Sequence, residues 1–82
     1  MQEYNLTTFL EDISMNREFE FYYLNKMYSL TFIQEGYVFT DVQEQVYCIY
    51  QTYEDLLNSV RIRGLSIEEI IDKHLYEDLT IF

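Results

Sequence analysis

Residues 18–33 read Glu18-Phe19-Glu20-Phe21-Tyr22-Tyr23-Leu24-Asn25-Lys26-Met27-Tyr28-Ser29-Leu30-Thr31-Phe32-Ile33, and the two-residue period of this stretch sets the architecture. Phe19, Phe21 and Tyr23 alternate with Glu18, Glu20 and Tyr22, which is the pattern of a half-buried strand carrying acids on its outer face. Leu24-Asn25-Lys26 makes a short turn. From Met27 to Ile33 the alternation resumes with Tyr28, Leu30 and Phe32 facing one way, so the two runs predict a β-hairpin.

Further along the chain, Gln34-Glu35-Gly36 is a second turn signal before a strand at Tyr37 to Thr40. Asp41 to Glu44 is a turn or a bulge, and Gln45 to Gln51, rich in Val, Tyr and Ile, is a further strand. The expected sheet is an antiparallel meander of three to four strands. Upstream, Leu6, Phe9, Leu10 and Ile13 recur at helical spacing between Leu6 and Met15, with Asn5 available as N-cap. Downstream, Thr52 opens a helix whose apolar residues are Tyr53, Leu56, Leu57 and Val60, and Gly64 suits a left-handed stop. Ser66 then caps a third helix with Glu69 reaching back, and Ile67, Ile70, Ile71, His74 and Leu75 form its stripe. The tail, Leu79 to Phe82, is apolar enough to dock as a short edge strand. The predicted fold is α+β, in the order α-β-β-β-(β)-α-α, with helices covering the sheet.

A chain of 82 residues without a proline or a Ser/Gly-rich linker supports a single domain over residues 1–82. Its 49% hydrophobic and 18% aromatic content excludes a disordered acidic tail. Cys48 is the sole cysteine, which rules out an internal disulfide, suits a reducing compartment and reads as a small core residue. Met1-Gln2-Glu3-Tyr4 starts no signal peptide, and no run approaches the length of a membrane span. The expectation is a soluble, intracellular protein.

Fifteen Asp and Glu against five Lys and Arg give a net charge of −10. That field repels a phosphate backbone and an anionic membrane, which excludes direct nucleic-acid or membrane binding, and it attracts a basic protein surface. At helical spacing, Glu68, Glu69 and Asp72 share the solvent arc of the third helix with Tyr76. Glu18 and Glu20 line the first strand beside Tyr22. Carboxylates interleaved with tyrosine can imitate the phosphates and stacking faces of a nucleic acid; the same acids at helix starts also complement helix dipoles. Tyr22, Tyr37, Tyr47 and Tyr53 cannot all point inward if Phe21, Val38, Val46 and Leu57 do. They either form a binding surface or pack on a second face of the sheet, against the N-terminal helix or a twin subunit.

His74 and Asp78, at i and i+4, are the candidate metal ligands, and two ligands do not make a site. Otherwise no cofactor is expected. Gly36 and Gly64 lie far apart and form no phosphate loop, and one His with one Cys carries no nucleophile signature, so the chain reads as a non-enzyme.

The size, the charge, the hairpin Phe19-Glu20-Phe21-Tyr22-Tyr23 and the acidic terminal helix together resemble small phage-encoded anti-CRISPR proteins. That resemblance implies binding to the basic channel of an RNA-guided Cas nuclease in the cytoplasm of a bacterial host. The leading expectation is therefore a stoichiometric inhibitor of a type II Cas nuclease that blocks DNA loading or cleavage, as a monomer or homodimer. Its contact residues would be Glu68, Glu69, Asp72 and Tyr76, with Glu18, Glu20 and Tyr22 as a second patch. The alternatives are a regulatory or structural module that dimerises through aromatic surface, and a metal-binding protein.

Overall fold

The structure, a computed structural model, describes residues 4–82; Met1 to Glu3, where most of the N-terminal leader expectation falls, lie outside the described residues. In chain order the elements are α1 (Leu6–Ser14), β1 (Phe19–Tyr23), β2 (Lys26–Ile33), β3 (Gly36–Asp41), β4 (Val46–Tyr50), α2 (Tyr53–Ser59), α3 (Ile67–Asp72) and β5 (Glu77–Ile81). The fold is α+β, as the alternation predicts. The strands form one five-stranded sheet in the order β4-β3-β2-β1-β5, with every neighbouring pair antiparallel. The meander accounts for β1 to β4. The tail adds the fifth strand by returning to the far side of β1, one more than the three to four expected for the meander.

Cross-strand pairing sorts the side chains into two faces, because directly opposed residues point the same way. One row runs Ile81, Phe19, Leu30, Phe39, Cys48, and the next to it on the other face runs Thr80, Glu20, Ser29, Thr40, Tyr47. The first face carries the core. Phe19, Phe21, Tyr23, Tyr28 and Leu30 pack there against Phe9 and Ile13 of α1, Leu56 and Leu57 of α2, and Ile67, Ile70 and Ile71 of α3. Phe9 and Phe19 meet with ring centroids 5.0 Å apart, and Tyr28 stacks on Phe39 at 5.7 Å. Each such fully buried side chain contributes about 1.5–3 kcal/mol. The second face joins no part of that core cluster. Val38 is buried on it, 7% exposed, between its cross-strand neighbours Thr31 and Ile49.

Register and packing sort the four tyrosines between the two faces. Tyr37 and Tyr53 face the core layer and meet edge-on at 6.0 Å, while Tyr22 and Tyr47 stand on the open face. Val38, expected inward, lies on the open face instead. Cys48, expected in the core, is exposed: it stands on the helix-bearing face at the edge strand, where the helices leave the sheet uncovered.

Helix ends follow local chemistry. Asn5 accepts the Thr8 N–H at 2.9 Å and starts α1. Its stop is a Schellman motif: Asn16 takes φ 65, its N–H donates to the Ile13 carbonyl, and the Arg17 N–H donates to that of Asp12. The same motif ends α3, where His74 at φ 54 donates its N–H to Ile71 and Leu75 donates to Ile70. This truncates the expected third-helix stripe. His74 and Leu75 are not apolar-stripe residues but exposed positions past the helix. Gly64 has the expected positive φ, 85, but caps no helix. With Arg63 at φ 52 it forms the two-residue turn closing the Ile62–Leu65 bridge, several residues after α2 has ended. Asp41 closes β3, and Val42 to Gln45 form a turn rather than a bulge.

Candidate partner-binding site

The open sheet face gathers acids and tyrosine where β1 meets β5. Glu20 is paired with Thr80, and Tyr22 with Glu77, so Glu20, Tyr22 and Glu77 stand on one face with Met27 beyond Tyr22 on β2. Tyr22 is 37% exposed, and Glu77 is exposed. Glu20 and Tyr22 are there because of strand alternation, as expected. Glu77 was missed: the apolar tail was legible as a strand, but nothing local assigned its partner, and only pairing with β1 brings Glu77 to this face.

Glu18 does not belong to that free patch. Its carboxylate Oε2 accepts the Phe32 N–H at 3.0 Å, which half-buries the side chain and ties the start of β1 to β2. The α3 acids divide likewise. Glu69 closes a capping box: its Oε1 accepts the Ser66 N–H at 3.0 Å while its own N–H donates to the Ser66 hydroxyl oxygen at 3.1 Å. The bond from the Ser66 N–H first, and then the Ser66 hydroxyl beside the carboxylate, hold the Glu69 carboxyl below the usual range. Glu68 is half-buried in the first turn and Asp72 is exposed at the end of the helix. Tyr76, expected on the same helical arc, is not on the helix. It follows the Schellman stop, is half-buried against the core, and lies with its ring 5.9 Å from that of His74.

The cations are disposed so that few acids are neutralised. Among the described residues, salt bridges join only Lys26 to Asp41 at 3.0 Å and to Glu44 at 3.9 Å. The hydrogen bond from Lys26 lowers the Asp41 pKa and, reciprocally, raises that of Lys26. Arg61 donates to the main-chain oxygens of Val60 and Leu57 at 2.7 and 3.3 Å, and Arg17 donates to that of Phe82 at 2.9 Å. Two of the cations are thus engaged with carbonyls, and the carboxylates of Glu20, Glu77, Glu68 and Asp72 lie in no salt bridge.

The two candidate metal ligands lose the geometry that motivated them. α3 ends at Asp72, so His74 and Asp78 share no helical arc. The His74 Nε2–H donates to the Tyr4 carbonyl at 2.7 Å, and Asp78 sits in β5 with φ 51. Among the described residues no three His, Cys, Asp or Glu side chains are gathered as a metal site would need. No described helix is long and apolar enough to cross a membrane.

The chain matches no family model, and no curated protein or solved structure shows significant similarity to it.

Proposed function

We propose that this protein is a stoichiometric inhibitor of a basic, nucleic-acid-handling protein, acting in the bacterial cytoplasm on a type II Cas nuclease and blocking DNA loading or cleavage. The observation that supports it is the uncompensated field. A net charge of −10 is carried on a small sheet-and-helix scaffold whose cations are largely engaged with carbonyls or with Asp41 and Glu44. Such a surface attracts a channel built to hold a polyanion, and the resemblance to small acidic anti-CRISPR proteins names the kind of channel. Glu20 and Glu77 flank Tyr22 on the open face and present charge beside a stacking ring. Glu68 and Asp72 form the second contact, with Glu69 held in its cap and Tyr76 packed inward.

The test is titration of the protein into a purified type II Cas nuclease loaded with guide RNA, reading DNA binding and cleavage. Inhibition is expected to saturate at one protein per nuclease. Glu20→Lys with Glu77→Lys is expected to weaken it by about tenfold or more with the thermal melt preserved. Undiminished cleavage at large excess of the native protein would remove the nuclease as target.

A further inference from the structure

The two edges of the sheet are built differently. β5 carries Glu77 and Asp78, and its pairing with β1 shifts register between Glu20 and Tyr22, with Asp78 at φ 51. Charge and irregularity of this kind protect an edge from adding another strand. β4, at the opposite edge, reads Val46-Tyr47-Cys48-Ile49-Tyr50 and contains no charge. Val46 is 58% exposed, Tyr47 63% and Ile49 45%, so from Val46 to Ile49 the strand is bare on both faces, while Tyr50 packs against the core.

We infer that β4 pairs with β4 of a second copy of this chain, antiparallel about a two-fold axis at Cys48, joining two five-stranded sheets into one. The strand is complementary to itself in this register. Tyr47 falls opposite Ile49 of the second copy on the open face, and Val46 opposite Tyr50 on the other. Both are aromatic and β-branched pairs of the kind that stabilise sheets. β4 itself carries no charge, so no like charges oppose within the paired strands.

Charge elsewhere on the chain also selects this edge. Two copies of net charge −10 repel over most of their surface. At the hairpin end of β4, Asp41 stands opposite Val46 and Glu44 lies in the adjoining turn, and Lys26 lies against both, offsetting one of their two charges. Beside them, Phe39, Asp41, Glu44, Val46, Tyr47 and Cys48 line an open hollow of about 300 Å³. The two-fold carries Tyr50 and the segment leading into α2 of the second copy toward that hollow. A five-residue seam spans about 17 Å and makes a small interface, of the kind that associates weakly and reversibly. Because the copies are like-charged, added salt strengthens the dimer, the opposite of its effect on binding to a basic protein.

Sedimentation of the full chain from about 1 to 200 µM, in about 0.1 and 0.5 M salt, is expected to show a monomer–dimer equilibrium that tightens with salt. Tyr47→Lys and Val46→Lys, both exposed and outside the core cluster, are expected to weaken it by about tenfold or more with the thermal melt preserved. A register test stands apart from those variants. Diamide oxidises two thiols to a disulfide and takes up the two hydrogens itself. Across the two-fold the Cys48 Cα atoms lie about 4.5–5.5 Å apart, within disulfide range. Native protein is expected to crosslink readily. Cys48→Ser with Val46→Cys places the thiols' backbones about 14 Å apart and is expected not to. A monomer throughout the concentration range, a dimer unaffected by either lysine, or equal crosslinking from position 46 would each overturn the proposal.

Discussion

The carboxylate of Glu18 accepts the main-chain N–H of Phe32 at 3.0 Å, carrying the β1–β2 ladder one step past the Phe19–Leu30 pair by means of a side chain. This separates Glu18 from Glu20 although strand alternation places them alike. Glu18→Ala is expected to cost about 1–2 kcal/mol in urea denaturation, the worth of a charge-assisted hydrogen bond, with Glu18→Gln recovering part of it. Affinity for the basic partner should change little in either variant. A loss of binding in Glu18→Gln at unchanged stability would return this residue to the contact surface.

The two glycines are expected to differ sharply. A Cβ on Gly36 would stand 2.2 Å from the Tyr50 carbonyl oxygen, where β3 and β4 meet, and its φ is 143. Around Gly64 nothing lies within 4 Å, and only the φ of 85 is at issue. Gly64→Ala should cost about 1 kcal/mol, and Gly36→Ala about 3 kcal/mol or more. Equal losses in denaturant titration would contradict the close approach at Gly36.

The β1–β2 turn holds Leu24 at φ 51 and Asn25 at φ 66, the two positive angles of a type I′ turn, and Leu24 is 53% exposed. A leucine is strained there by roughly 1 kcal/mol, whereas Asn-Gly suits both positions. Leu24→Asn with Asn25→Gly is expected to raise the melting temperature by about 4–8 °C. A lower melting temperature would mean that Leu24 makes a stabilising contact outweighing the strain.

Stability should fall at both ends of the pH scale, for opposite reasons. Glu69 and Asp41 are more acidic folded than unfolded, so their contributions are present above about pH 4 and are lost as pH falls through the lowered folded values. Tyr4, Tyr50 and Lys26 are shifted upward. For Tyr4 the cause is burial first, then the hydrogen bond it donates to Asp12 at 2.8 Å; for Tyr50 it is burial; for Lys26 it is the hydrogen bond to Asp41. Their contributions are complete below about pH 10 and are lost as pH rises through the folded values. Denaturation midpoints measured against pH should show a shallower acid limb in Glu69→Gln and a shallower alkaline limb in Tyr4→Phe.

Salt should act with opposite signs on folding and on partner binding. With net charge −10 and few ion pairs, self-repulsion strains the fold, so raising ionic strength to about 0.5 M should raise the melting temperature. Affinity for a basic partner should fall over the same range. A melting temperature that drops with salt would show that the acids are stabilised by attractions that the geometry does not display.

The hairpin, the capped helix starts at Asn5, Thr52 and Ser66, and the turn at Leu24-Asn25 were legible because each depends on neighbours a few residues away. The sequence by itself determined that β1 to β4 form a meander, that Phe19, Phe21, Tyr28 and Leu30 face one core, and that the chain carries a strong negative field. Tertiary structure decided the rest. Where α3 stops depends on His74 accepting a left-handed conformation, which no apolar spacing reveals. Which acids remain free depends on partners far along the chain, as Glu18 with Phe32 does. That Glu77 joins Glu20 and Tyr22 depends on β5 pairing with β1. That Cys48 is bare depends on where the helices end over the sheet. Periodicity gives each residue a side within its own element; only the packing of distant elements settles which sides are covered and which meet.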